Sequence, residues 1–262
     1  MEVTGSAEAA FITVQQGKKR MSADVAQDSP PTPHRRLLGY CAALAFNAGL
    51  VNAVAIMILA VPVGNLTGVT TQLGMDTANP WRYESHVLIA ILLGFLVGSA
   101  VAGALVTSSR VPLGARHATV LTMQATLLLS AAAGVEETAL GTGAQALLAA
   151  AALGLQNGLT SSFRGMAVRT THFTGTITDL GLMIGRSRTH GIDREKAAIL
   201  AVTLLLFLGG GVVGILAGAQ FGGYALLIPA AVCLALGSAY LLQNRHAGAA
   251  ITEGAPQPAA GN

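Results

Sequence analysis

The sequence predicts an all-α integral membrane protein. Its six transmembrane helices form two inverted three-helix repeats, each with a short broken or re-entrant segment. Three observations predict this. The chain of 262 residues is 52% hydrophobic and only 10% charged, where a soluble domain carries about 25% charged residues. Its apolar runs approach the roughly 20 residues that a helix needs to cross a bilayer, and its mean hydropathy is +0.60. Finally, one phrase occurs twice. Asn65 to Gly74 reads N-L-T-G-V-T-T-Q-L-G and His172 to Gly181 reads H-F-T-G-T-I-T-D-L-G, so T-G-x-x-T-x-L-G recurs after 107 residues.

Taken in order, residues 1–36 are polar, contain Pro30, Pro31 and Pro33, and lack apolar periodicity. They predict a disordered cytoplasmic tail. No apolar core followed by a cleavage site marks a signal peptide there. Residues 37–242 form a single membrane domain, with repeat one at 37–134 and repeat two at 142–242. Span one runs from about Leu37 to Val63 and carries Asn47 and Asn52. Span two is His86 to Val106, and span three is Ala118 to Gly134 with Gln124 inside it. Span four, Thr142 to Ser162, holds Gln156 and Asn157. Span five is Ala197 to Ala219, and span six is Tyr224 to Leu242 with Pro229 near its start. The Gly/Ala/Pro-rich residues 243–262 predict a second disordered cytoplasmic tail.

Orientation follows from the basic residues. With both termini in the cytoplasm, the inner side holds Lys18, Lys19, Arg20, Arg35, Arg36, Arg110, Arg116, Arg164, Arg169, Arg186, Arg188, Arg194, Lys196 and Arg245. Only Arg82 falls outside, and Glu136 and Glu137 sit there too. The formal charge of +3 therefore reflects membrane orientation, and no nucleic-acid partner is expected. Cys41 and Cys233 lie in apolar runs and predict buried thiols rather than a disulfide framework. No metal spacing, phosphate loop or cofactor motif occurs.

A duplicated unit with three spans must enter the membrane from opposite sides, which is the inverted repeat of many secondary transporters. Further matches point the same way. Gly49-Leu50-Val51-Asn52 matches Gly154-Leu155-Gln156-Asn157, and Phe95-Leu96-Val97-Gly98 matches Phe207-Leu208-Gly209-Gly210.

The G-L-Q-N of residues 154–157 and the run Arg169-Thr170-Thr171 through Thr174-Gly175-Thr176-Ile177-Thr178-Asp179-Leu180-Gly181 resemble the YoaK-like family. These are bacterial multi-pass inner-membrane proteins with no assigned activity. The resemblance covers the span pattern of residues 37–242 and implies the bacterial cytoplasmic membrane. The first phrase departs from the family wording: Leu66-Thr67-Gly68-Val69 stands where M-T-G-N is expected.

Helical spacing puts Thr67, Thr71 and Gly74 on one face, and likewise Thr174, Thr178 and Gly181. Gly68 and Gly175 allow close approach or an unusual backbone angle. The preceding Thr is placed to cap a helix. Such a helix start offers free N–H groups to an anion or carboxylate. Asn52 and Asn157 come from the preceding spans and are expected to converge there. The substrate-path candidates are thus Asn52, Thr67, Gly68, Thr71, Asn157, Thr174, Gly175, Thr178 and Asp179.

Asp179 has two readings. At membrane depth an acid serves proton coupling or cation binding, and desolvation would raise its pKa. At the cytoplasmic surface it pairs with Arg169 or Arg186. The rows Gly94, Gly98, Ala102 and Gly210, Gly214, Gly218 predict packing between spans two and five, or across a homodimer. The expected function is a secondary transporter for a small solute. The alternative is a non-transporting scaffold that binds lipid or a partner. Ser161, Ser162, His172 and Asp179 suggest an intramembrane hydrolase only distantly, since nothing fixes their geometry, so no enzyme is expected.

Overall fold

Small residues set this fold, because they let helix backbones touch. The computed structural model describes residues 34–78, 84–107, 113–162 and 170–253. Among these, the regular structure is helical, with no strand. The helices are α1 His34–Leu59, α2 Leu66–Ala78, α3 Ser85–Thr107, α4 Leu113–Glu136, α5 Thr142–Ser161, α6 Phe173–His190 and α7 Arg194–Phe221. A 3-10 turn, Gly222–Leu226, then leads into α8, Leu227–Glu253. The chain divides after Leu38, and every contact described here lies within Gly39–Asn262.

Four stretches are long and apolar enough to cross a membrane: Leu38–Leu59, Ser85–Thr107, Gly114–Glu136 and Arg194–Leu242. The last is 49 residues long and contains α7, the turn and most of α8. Predicted span four, now α5, is absent from this set. It is Ala-rich and carries Gln145, Gln156 and Asn157, yet it is buried from Ala149 to Asn157. A helix surrounded by other helices does not need lipid-facing side chains. By contrast α3 turns Leu93, Leu96 and Val97 outward, and α7 turns out Leu205, Leu208, Val212 and Leu216. Apolar surface on that scale belongs against a bilayer rather than water.

The ends also differ from expectation. Residues 34–36 already belong to α1, and α8 continues through residues 243–253. No strong stop follows Leu242 until Gly254 and Pro256, and Ala favours continuation. The rest of both predicted tails, with Arg82, Arg110, Arg164 and Arg169, lies outside the described residues. Ala60, at φ +56°, turns the chain off α1, and Gly222, at φ +58°, ends α7. Asp193 starts α7, its side chain accepting from the Lys196 amide at 3.0 Å.

Both glycine rows are buried, but they do not pair with each other. A β-carbon at Gly94 would overlap the Leu147 carbonyl oxygen, and one at Gly98 that of Ala151. From the other side, a β-carbon at Gly154 would overlap the Phe95 carbonyl oxygen. So α3 lies backbone to backbone on α5. In the same way Gly210 meets the Phe46 carbonyl, Gly49 meets that of Phe207, and Gly214 lies on Leu50, joining α1 to α7. The expected pairing of spans two and five is therefore replaced by two-with-four and five-with-one. The row pattern specifies a smooth helix face but not which neighbour fills it.

These contacts fix helix directions. Phe46, Leu50 and Val54 ascend α1 as Gly210, Gly214 and Gly218 ascend α7, so the two run parallel. Leu147, Ala151 and Leu155 ascend α5 beside Gly94 and Gly98, again in parallel. Helix α8 runs against α1 and α4. The Tyr40 and Tyr240 rings meet edge-on at 5.2 Å, Asn47 reaches Pro229 and Cys233, and the His117 ring stacks on Tyr240. At the far end of α4, Glu136 accepts from the Gly223 amide. Cys41 and Cys233 are buried free thiols.

The polar core is a relay of amides. Gln124 on α4 donates to Gln156 Oε1 at 2.8 Å. Gln156 then donates to the Leu44 carbonyl of α1 at 2.8 Å and to Thr170 Oγ1 at 2.7 Å. All three side chains are buried. Thr170 lies in the connection entering α6, so the relay ties three helices to the start of the second phrase.

Candidate functional site

Each repeated phrase begins a helix at the same position. Helix α2 starts at Leu66 and α6 at Phe173, 107 residues apart like the phrases. The cap lies one residue earlier than Thr. Asn65 accepts the Gly68 amide on its side chain at 3.1 Å, while His172 occupies the equivalent position without a side-chain cap bond. Thr67 and Thr174 therefore sit inside the first turn, not at its cap, correcting the capping role expected of them. Gly68 and Gly175 make room for the cap residue. A β-carbon at Gly68 would lie 2.9 Å from Asn65 Nδ2, and one at Gly175 2.8 Å from His172 Cδ2. Neither glycine is in the left-handed region, so their role is space rather than an unusual backbone angle.

The two helix starts open on one cavity of about 410 Å³. Asn65 and Thr67 line it from the first phrase, and Thr171, His172 and Thr174 from the second. Phe95 and Ser99 of α3 and Asn157 and Ser161 of α5 complete much of the wall. Asn52 stands behind this wall: its Oδ1 accepts the Gly64 amide at 2.9 Å, steadying the connection that enters α2. A β-carbon at Gly64 would in turn lie 3.2 Å from the Thr171 methyl carbon, so the two connections nearly touch.

Of the sequence candidates, the cavity collects Thr67, Asn157 and Thr174. Gly68 and Gly175 do not line it but leave space for Asn65 and His172, which do, and Asn52 braces it. Thr71 and Thr178 are turned elsewhere. Their hydroxyls donate back to the Thr67 and Thr174 carbonyls, at 2.9 and 2.8 Å, and both residues are exposed. This matched back-bonding satisfies the hydroxyl within its own helix.

Asp179 does not line the cavity. It pairs with Lys196 at 2.9 Å, both side chains over a third exposed. That is the surface-pairing reading with a different partner from the arginines expected. An exposed pair contributes little. Asp179→Asn should therefore shift unfolding stability by less than about 1 kcal/mol, measured by denaturant titration in detergent.

The sequence reading passed over two residues. Asn65 opens the quoted phrase, and Asn before Leu-Thr-Gly is a cap signal. Asp76, two residues beyond the first phrase, is 1% exposed. Residues 66, 69, 73 and 76 share one helix face, and Val69 on it is buried as well. Apolar-face spacing was thus the available signal for an interior acid.

Comparison with known proteins adds the family. The family model described as "Protein of unknown function (DUF1275)" matches residues 40–239. That is most of the chain, and the chain belongs to this family. No curated protein and no solved structure matches it.

Proposed function

We propose that this DUF1275 chain is a secondary transporter of the inverted-repeat type, carrying a small solute through the cavity between its two repeated phrases. The observation that carries the proposal is the convergence of both helix starts on that one cavity. In such transporters the solute site lies where the repeats meet, built from interrupted helices.

In this reading α1, α3, α4, α5, α7 and α8 are the six crossings, and α2 and α6 are the re-entrant segments. The helix directions support it, with α1 parallel to α7 and α3 parallel to α5. The close contacts support the inversion. Gly49 lies against the Phe207 carbonyl as its repeat match Gly154 lies against that of Phe95. A β-carbon at Gly214 would lie 3.0 Å from that of Ala53, and one at Gly158 would lie 2.7 Å from that of Ala102. Those are corresponding positions with glycine and alanine exchanged. Exchanging the repeats thus turns the α1–α7 contact into the α5–α3 contact. The helix pairs follow as well, Asn47 joining α1 to α8 and Gln156 joining α5 to α4, although these two amides stand at different positions of the repeat. A scaffold has no need of a polar cavity at the meeting of its repeats.

The test is labelling of single cysteines in intact bacterial cells, with Cys41 and Cys233 replaced. Glu136→Cys should react with an impermeant maleimide from outside, and Ser187→Cys from the cytoplasm alone. Thr67→Cys and Thr174→Cys should react from either side, as alternating access requires. Labelling of both loop positions from outside would sink the six-span topology. A cavity that neither side reaches would favour the scaffold.

A further inference from the structure

Two carbonyl oxygens in the middle of the bundle, Asn47 Oδ1 on α1 and Gln124 Oε1 on α4, have no hydrogen-bond donor among the described residues. Both side chains are fully buried, and water reaches neither oxygen. The neighbours fix which atom of each amide is the oxygen. Asn47 Nδ2 faces the Pro229 carbonyl at 3.1 Å, which can only accept. Gln156 Nε2 faces the Leu44 carbonyl, so its Oε1 is left for Gln124, whose nitrogen donates to it. Turning over the Asn47 or the Gln124 amide would set two acceptors against each other.

The two oxygens belong to one layer. The rings of His117, Tyr240 and Tyr40 join α4, α8 and α1 at one level. Seven residues away, about two turns along each helix, stand Gln124, Cys233 and Asn47. Asn47 Nδ2 reaches Cys233 Sγ at 3.1 Å, as this register requires. Gln156 touches both Gln124 and the carbonyl of Leu44, one turn before Asn47. The layer falls near the middle of the apolar stretches Leu38–Leu59 and Gly114–Glu136, where a carbonyl without a donor is most costly.

We propose that this layer holds a sodium ion between Asn47 Oδ1 and Gln124 Oε1. Amide oxygens are ligands of hard cations, and carbonyl dipoles can replace the hydration shell of a monovalent ion. Gln156 Oε1 keeps a second lone pair in the same layer. No carboxylate stands among these residues, so a divalent ion would lack the charges that hold it. For a transporter this would be the coupling ion, since such sites lie near the midplane where the repeats meet. The binding itself does not rest on the transport reading.

The experiment is binding of radiolabelled sodium to the full chain in detergent, with thermal unfolding in sodium, potassium and choline chloride at equal ionic strength. Sodium should bind saturably and raise the unfolding midpoint as its concentration passes the Kd. Potassium, which is larger, should do less. Choline should do nothing, leaving both oxygens unpartnered. Asn47→Leu and Gln124→Leu should each weaken sodium binding by about tenfold or more, as loss of one neutral ligand implies. Asn47→Asp keeps the shape and sets a charge beside the ion, so it should tighten binding by about tenfold. It carries the test if the leucine variants do not fold. Equal unfolding in sodium and choline, undiminished binding in either leucine variant, or no tightening in Asn47→Asp would overturn the proposal. Sodium binding by a chain whose cavity neither side reaches would keep this site and remove transport. A cavity reached from both sides without sodium binding would do the reverse.

Discussion

Gly210→Ala should force α1 and α7 apart and destabilise the protein by about 3 kcal/mol, the upper part of the usual range for overpacking. A β-carbon at Gly210 overlaps the Phe46 carbonyl oxygen, and a backbone oxygen cannot rotate aside as a side chain does. Gly98→Ala should cost a similar amount, because its β-carbon overlaps the Ala151 carbonyl oxygen. The controls lie in the same helices. A β-carbon at Gly103 or at Gly209 would meet nothing within 4 Å. Alanine there should be neutral or stabilising by about 0.5–1 kcal/mol, since it restricts the unfolded chain and favours helix. Unfolding of the four variants in mixed micelles separates close packing from helix propensity. Equal behaviour of all four would remove the backbone-contact account of both interfaces.

The second large effect is expected at Gln156. Replacing it with Leu removes the acceptor of Gln124 and the donor to Leu44 and Thr170. It leaves the Gln124 amide group buried without a partner, at a cost of about 2 kcal/mol. Gln124→Leu should cost less. The Oε1 of Gln124 is already buried without a partner, and that substitution removes it. The double variant should be more stable than the sum of the single effects by roughly 1 kcal/mol, within the range for hydrogen bonds between membrane helices. Strict additivity would mean that the two amides are not coupled. Because Thr170 leads into α6, the Gln156 variant should also loosen the second phrase, raising the reactivity of Thr174→Cys.

The sequence by itself determined the class of the protein, the positions of its helices and the places where the repeated phrase falls on them. Those properties are local. Charge depletion and apolar run length report the solvent around a helix, whether or not its neighbours are known. A short polar helix reveals itself because hydroxyls and glycine interrupt an apolar chain, and α2 and α6 begin at equivalent residues of the two phrases. Thr67, Asn157 and Thr174 could be found in the same way.

Tertiary structure decided what these elements meet. Gly98 and Gly210 announce a close approach, but a flat helix face accepts any other flat face, and only the assembled bundle pairs them with α5 and α1. The low hydropathy of α5 obscures its central place, since burial among helices rewards small side chains over lipid-soluble ones. The acids show the same division most plainly. Asp179 stands inside the repeated phrase yet reaches outward to Lys196, whereas Asp76 lies beyond the phrase and is buried. Membership in a motif is a property of the chain, but burial depends on which side of a helix its neighbours cover.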